Sequence, residues 1–194
     1  MPENIHTEKL REKVSGISSL SEESFTLLLQ HGKIKQWPKG ALLLKEGAKC
    51  SEIYFIEKGA IKAFQDKDGK MINLCFYFED TFVTNLKSLR SEAASAYNLQ
   101  AMEPLQTYSF EKQNLLSLYT LSAEIELFGR SLLESLLIEQ EEHANFFKLY
   151  SPEERYSYLL THAPFFIQRI PVSQLASYLG ITRESLSRIR KRIK

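Results

Sequence analysis

The sequence predicts an α+β chain with a β-rich N-terminal half, a long helix and a C-terminal pair of short helices. Three observations carry this reading. Between Ile34 and about Phe110, short runs rich in β-branched and aromatic residues, such as EIYFIEKG, AIKAFQ and MINLCFYF, are separated by turns containing Gly and Asp. From Gln113 to Phe147 there is no proline, and Gly129 is the only glycine. The final segment from Pro171, PVSQLASYLGITRESLSRIRKRIK, carries apolar residues at helical spacing on both sides of Gly180.

Residues 21–30, SEESFTLLLQ, read as a helix capped by Ser21, with Phe25, Leu28 and Leu29 on one apolar patch. In the strand region, Asp66–Lys67–Asp68–Gly69 forms a hairpin turn. Tyr54, Ile56, Ile61, Ala63, Ile72, Leu74 and Phe76 line an interior by period-two alternation. No helix of crossover length lies between the strands, so the expectation is a small barrel or roll rather than a βαβ unit. The less regular stretch from Phe78 to Ser95 has room for a short helix around Thr84–Leu89, and AYNLQAM and PLQTYSF add two strands. A roll whose loop holds a short helix is a natural small-molecule pocket.

Leu118, Leu121, Ile125, Phe128 and Leu132 recur at steps of three and four, and the pattern continues through Leu136 and Leu137. The expectation is one helix of about 25 to 30 residues, a spine that covers the β domain on one side and meets a second copy on the other. Leu121, Ile125, Phe128, Leu132 and Leu136 are its candidate dimer-helix residues. Beyond Tyr150 the chain turns at Ser151–Pro152, and a further helix stops near Ala163–Pro164. The expected division is 1–112 for a β-roll sensor domain with an N-terminal helix, 113–148 for the connecting helix and 149–194 for a helix-turn-helix domain.

Charge is distributed unevenly. The chain carries +1 in all, but residues 183–194 hold Arg183, Arg188, Arg190, Lys191, Arg192 and Lys194 against Glu184, a local +5 that leaves −4 for the remainder. A polyanion is steered to that end. Gly180 suits the turn, Thr182 and Ser173 are plausible caps, and Leu186, Ile189 and Ile193 form a back that needs Val172, Leu175, Ala176 and Leu179 as its partner face. The free face then meets the DNA major groove. Arg188 suits a guanine edge and Glu184 a cytosine amino group, with Arg183 and Ser187 beside them as base-reading candidates. Ser173, Ser185, Arg190, Lys191, Arg192 and Lys194 are candidates for phosphate contacts. A dimer of such units reads a near-palindrome, with half-sites about one helical turn apart. The competing reading is a module that keeps the fold as a protein-interaction surface without contacting DNA.

Other classes find little support. No run approaches the length of a membrane span, no secretory leader precedes the first helix, and Cys50 and Cys75 make no disulfide framework, so a cytoplasmic location is expected. His6, His31, His143 and His162 are scattered outside any metal-ligand spacing, and no phosphate loop or nucleophile elbow is present. Neither a metal nor an enzymatic activity is expected.

The segment WPKGALLLKEGAKCSEIYFIEKGAIKAF, the long helix and ASYLGITRESLSRIRKR together resemble the Crp/Fnr family of transcription regulators, over about residues 20–194 and most like its Bacteroidetes branch. Arg183, Glu184 and Arg188 match the family's R-E-x-x-x-R recognition-helix pattern. The resemblance implies a cupin-like, double-stranded β-helix roll of the cyclic-nucleotide-binding type, a dimerising helix, a winged helix-turn-helix, promoter DNA and RNA polymerase as partners, and a small-molecule effector. It also places an effector pocket at Phe82, Thr84, Arg90, Ser91, Ala93 and Ala94. Two departures stand out. The phosphate cassette lacks its Gly and Glu, reading Phe82–Val83–Thr84, with Ala93–Ala94 near the Arg-Ser position, which disfavours cyclic AMP as the effector. The segment after the recognition helix leaves almost no sequence for a wing, so a weaker, more salt-sensitive DNA complex is expected.

Overall fold

The computed structural model describes residues 4–193. Helices α1 (Asn4–Ile17) and α2 (Glu22–Gln30) precede strands β1 (Gly32–Trp37), β2 (Leu42–Leu44), β3 (Glu52–Lys58), β4 (Ile61–Lys67), β5 (Lys70–Tyr77) and β6 (Phe82–Val83). Helix α3 (Leu86–Ser91), strands β7 (Asn98–Ala101) and β8 (Leu105–Glu111), and helices α4 (Lys112–Tyr119) and α5 (Ala123–Leu149) follow. The chain ends in α6 (Pro152–His162), α7 (Pro164–Arg169), α8 (Val172–Tyr178) and α9 (Arg183–Ile193). The strands make two four-stranded sheets, ordered β1-β8-β3-β6 and β2-β7-β4-β5. Two compact units result, 1–63 with 76–136 and 64–75 with 137–194.

In the first unit β3 departs from simple alternation, because every residue from Ile53 to Glu57 is buried. Neighbouring strands β6 and β8 flank it, and both of its faces are covered. Tyr54, Ile56, Ile61, Ala63 and Phe76 are all buried as expected, but Phe55 and Lys62 between them are buried too, so β3 and β4 do not alternate. Helix α2 begins where expected, with the Ser21 side chain accepting the Ser24 N–H. Helix α1 was not foreseen; its Leu10 and Val14 reach the core.

The expected single spine is two helices. Thr120, Leu121 and Ser122 interrupt it, and the Ser122 hydroxyl accepts the Ile125 N–H at 3.3 Å and pairs with the Ser24 hydroxyl at 2.9 Å. Hydroxyl side chains that satisfy backbone groups locally compete with helix continuation. The α5 helix alone still spans 27 residues.

In the second unit the β4–β5 turn places Asp68 and Gly69 at φ +55° and +75°, the two left-handed positions of a type I′ hairpin. The hairpin grips α8. Ser177 Oγ accepts the Asn73 N–H at 3.1 Å and donates to the Met71 carbonyl at 3.1 Å, while Asn73 Nδ2 donates to the Gln174 carbonyl at 3.4 Å. This pairing turns Asn73 inward, so Leu74 lies outward and 36% exposed, contrary to its expected interior place. Leu175, Leu179 and Leu186 are fully enclosed and join α8 to α9. Helix α6 starts on a reciprocal cap between Ser151 and Glu154, whose carboxylate is held below its usual pKa by the Ser151 backbone N–H and hydroxyl.

Candidate functional site

The C-terminal helices meet as the apolar spacing requires. Gly180 closes the turn at φ +74°, a conformation that a side chain resists, and Thr182 accepts the Ser185 N–H at 3.2 Å to start α9. Leu186 and Ile189 are buried on the back of α9, and Arg183, Glu184, Ser187, Arg188 and Lys191 stand exposed on its front. Arg188 Nη2 donates to Ser185 Oγ at 3.3 Å, which orients the guanidinium along that face. Hydrogen bonds from its own N–H and from the Thr182 hydroxyl hold the Glu184 carboxyl below the usual range, so it stays an ionised acceptor.

The phosphate candidates fare unevenly. Ser173 is exposed, but it lies inside α8 and does not cap it; Pro171 holds the cap position without a side-chain bond. Ser185 and Arg190 are half-buried, and Arg192 spends its charge on Glu153, 2.8 Å away. Lys194 lies outside the described residues.

Arg155 is a residue that sequence reading missed. Its guanidinium donates to the carbonyls of Tyr150, Leu179 and Phe147 at 2.8, 3.0 and 3.0 Å and lies 4.7 Å from the Phe147 ring centroid. The turn of the two-helix motif is thereby tied to the end of α5 and the start of α6. A lone arginine inside an amphipathic helix offers no signal of this in the sequence.

The expected effector residues have different surroundings. Phe82 packs in the core against Phe55 and Phe128, with ring centroids 5.1 and 6.1 Å away. Thr84 is buried and donates to the Glu52 carbonyl at 2.9 Å. Ser91 is exposed and bonds back to Lys87 at 2.7 Å, Ala93 is half-buried, and exposed Ala94 bridges to Lys49. Arg90, exposed at the end of α3, lines a cavity between α3, α4 and α5 instead. Burial also redistributes the candidate dimer residues. Ile125, Phe128, Leu132 and Leu136 are buried in the protomer, at most 8% exposed, and Leu121 sits in the interhelical turn. Leu127, Leu133, Leu137 and Ile138 are the apolar residues that remain exposed along the body of α5.

Among the described residues, no helix is long and apolar enough to cross a membrane, and no group of three or more His, Cys, Asp or Glu is placed to hold a metal ion. Residues 34–121 match the family model of the cyclic nucleotide-binding domain. No curated protein matches the chain significantly. Solved structures do. The catabolite activator protein of Thermus thermophilus shares 19% identity over 90% of this chain and 84% of its own, with a TM-score of 0.55. The c-di-GMP responsive global regulator CLP of Xanthomonas campestris shares 17% over 89% and 91%, at 0.65. FixK2 of Bradyrhizobium japonicum shares 15% over 84% of each chain, at 0.70. A segment that matches the cyclic nucleotide-binding domain, a long helix and a terminal helix pair, in this order, give the chain the fold of these solved structures.

Proposed function

We propose that the protein is a sequence-specific DNA-binding transcription regulator that reads near-palindromic sites as a homodimer. The observation that carries this is the exposed front of α9, where Glu184, Ser187, Arg188 and Lys191 stand together over a back anchored by buried Leu186 and Ile189. Arg188 and Glu184 are the base-reading pair, with Arg183 and Ser187 beside them, and Lys191 holds phosphate. Pairing of two chains runs along α5 through Leu127, Leu137 and Ile138, which are among the apolar residues that its own protomer leaves exposed. The nearest branch, by the resemblance of the sequence, is that of the Bacteroidetes.

The sensor half responds to something other than cyclic AMP. No arginine or glutamate stands in the Phe82–Val83–Thr84 stretch, and Phe82 and Thr84 are engaged by the protein itself. Selection of bound fragments from random duplex DNA, followed by anisotropy titration of the enriched site, tests the regulator reading. A recurrent two-fold motif supports it. Equal binding of all duplexes at low ionic strength overturns sequence-specific reading, and absence of binding to any duplex leaves the interaction module as the better account.

A further inference from the structure

The cavity between α3, α4 and α5 measures about 290 Å³. Its walls are apolar, formed by Leu89, Leu115, Phe128 and Leu132, each at most 8% exposed. Packed interiors keep few voids larger than a water molecule, and a closed apolar void of about 150 Å³ already takes up benzene. Space of this size and lining therefore suits a hydrophobic body. It opens beside Leu116 and Leu133, which are 50% and 39% exposed.

Three polar groups interrupt the apolar lining. Arg90 comes from the last turn of α3 and makes no ion pair among the described residues. Lys112 begins α4, and its only ion pair there is a long one, 3.7 Å to Glu92. Tyr119 ends α4 and leans over Gly129, where a Cβ would overlap its hydroxyl; no described residue bonds that hydroxyl. An apolar chamber with a few convergent polar groups is the usual composition of a small-molecule site. Two cations at its edge select an anion, and the apolar walls select the rest of the molecule.

We infer that this cavity binds a small monocarboxylic acid with an apolar chain or ring, its carboxylate held between Arg90 and Lys112 and its body against Phe128 and Leu132. The site goes beyond the regulator reading and does not depend on it, since ligand uptake is measured without DNA. Leu133 at the mouth stands about 120° around α5 from Leu127 but about 40° from Leu137, so the protein-concentration dependence of binding separates a small-molecule occupant from a second chain.

Calorimetric titration of the full chain with sodium octanoate and with 1-octanol tests the inference. Octanoate is expected to bind saturably at one site per chain, about tenfold more tightly than the alcohol, because only the carboxylate makes charge-assisted bonds. The double variant Arg90→Gln, Lys112→Gln, altered at the cavity edge, is expected to lower octanoate to the affinity of octanol and leave octanol unchanged. Leu132→Trp is expected to fill the chamber and remove both; where it does not fold, Leu133→Trp at the mouth serves. Absence of saturable octanoate binding, equal affinities for acid and alcohol, or indifference to the edge variant would each overturn the assignment. So would an affinity that falls as the protein is concentrated, since a second copy would then be closing the mouth.

Discussion

Arg155 donates a guanidinium N–H to the Leu179 carbonyl at 3.0 Å, and so closes the C-terminal end of the helix that supports α9. The same side chain holds Tyr150 and Phe147, so one cation serves three backbone acceptors. Arg155→Met keeps much of the apolar stem and removes all three bonds. The expected loss is about 2–3 kcal/mol of stability in the 64–75 and 137–194 unit, read by denaturant titration.

Arg188 and Lys191 are expected to fail differently. Arg188→Ala should lose about 1–3 kcal/mol of discrimination at one base pair of the selected site. Lys191→Ala should weaken all duplexes alike and reduce the salt slope of binding by about one. Anisotropy titrations at two or more salt concentrations, with matched and mismatched duplexes, separate the two. Reversed behaviour would exchange their roles.

Arg192 already pairs with Glu153 at 2.8 Å. Its removal should therefore change the salt slope less than removal of Lys191 does. Glu153→Gln should strengthen binding to every duplex by freeing that cation, and an unchanged affinity would show that the pair does not limit it.

His143 packs beside Phe147 and Tyr178, at 4.9 and 5.9 Å, and burial lowers its pKa below the ordinary 6.5. A group whose folded pKa is depressed binds its proton more readily when unfolded. Its stability contribution is whole above pH 6.5 and is lost as the pH falls toward the folded value. Glu139 and Glu142 line the same surface and oppose part of that loss. Stability is expected to drop between pH 7 and 5, and His143→Phe should flatten the profile in thermal melts.

Ser177 bridges Asn73 and Met71 of the hairpin. Ser177→Ala strands a backbone donor and an acceptor, for an expected loss of about 1–3 kcal/mol. Faster amide hydrogen exchange across residues 70–74 is the specific readout.

The sequence announced most of what depends on neighbours along the chain, the break at Ser122 and the cap of α8 excepted. Ser21, Thr182, Gly180 and the Asp68–Gly69 turn act through bonds and dihedral angles within a few residues, so their types announced their roles. The apolar back and cationic front of α9 follow from helical period in the same way. Tertiary structure decided what depends on residues far apart. It assigned Ile125, Phe128, Leu132 and Leu136 to the protomer core, although their spacing suits a second helix equally well. Leu74 was turned outward because Asn73 pairs with a helix a hundred residues away. Arg90 was brought to the edge of a chamber shared with Lys112 and Tyr119, which are more than twenty residues further along the chain. Periodicity states that a face is apolar, and only packing states what covers it, because burial is a property of contacts and not of order along the chain.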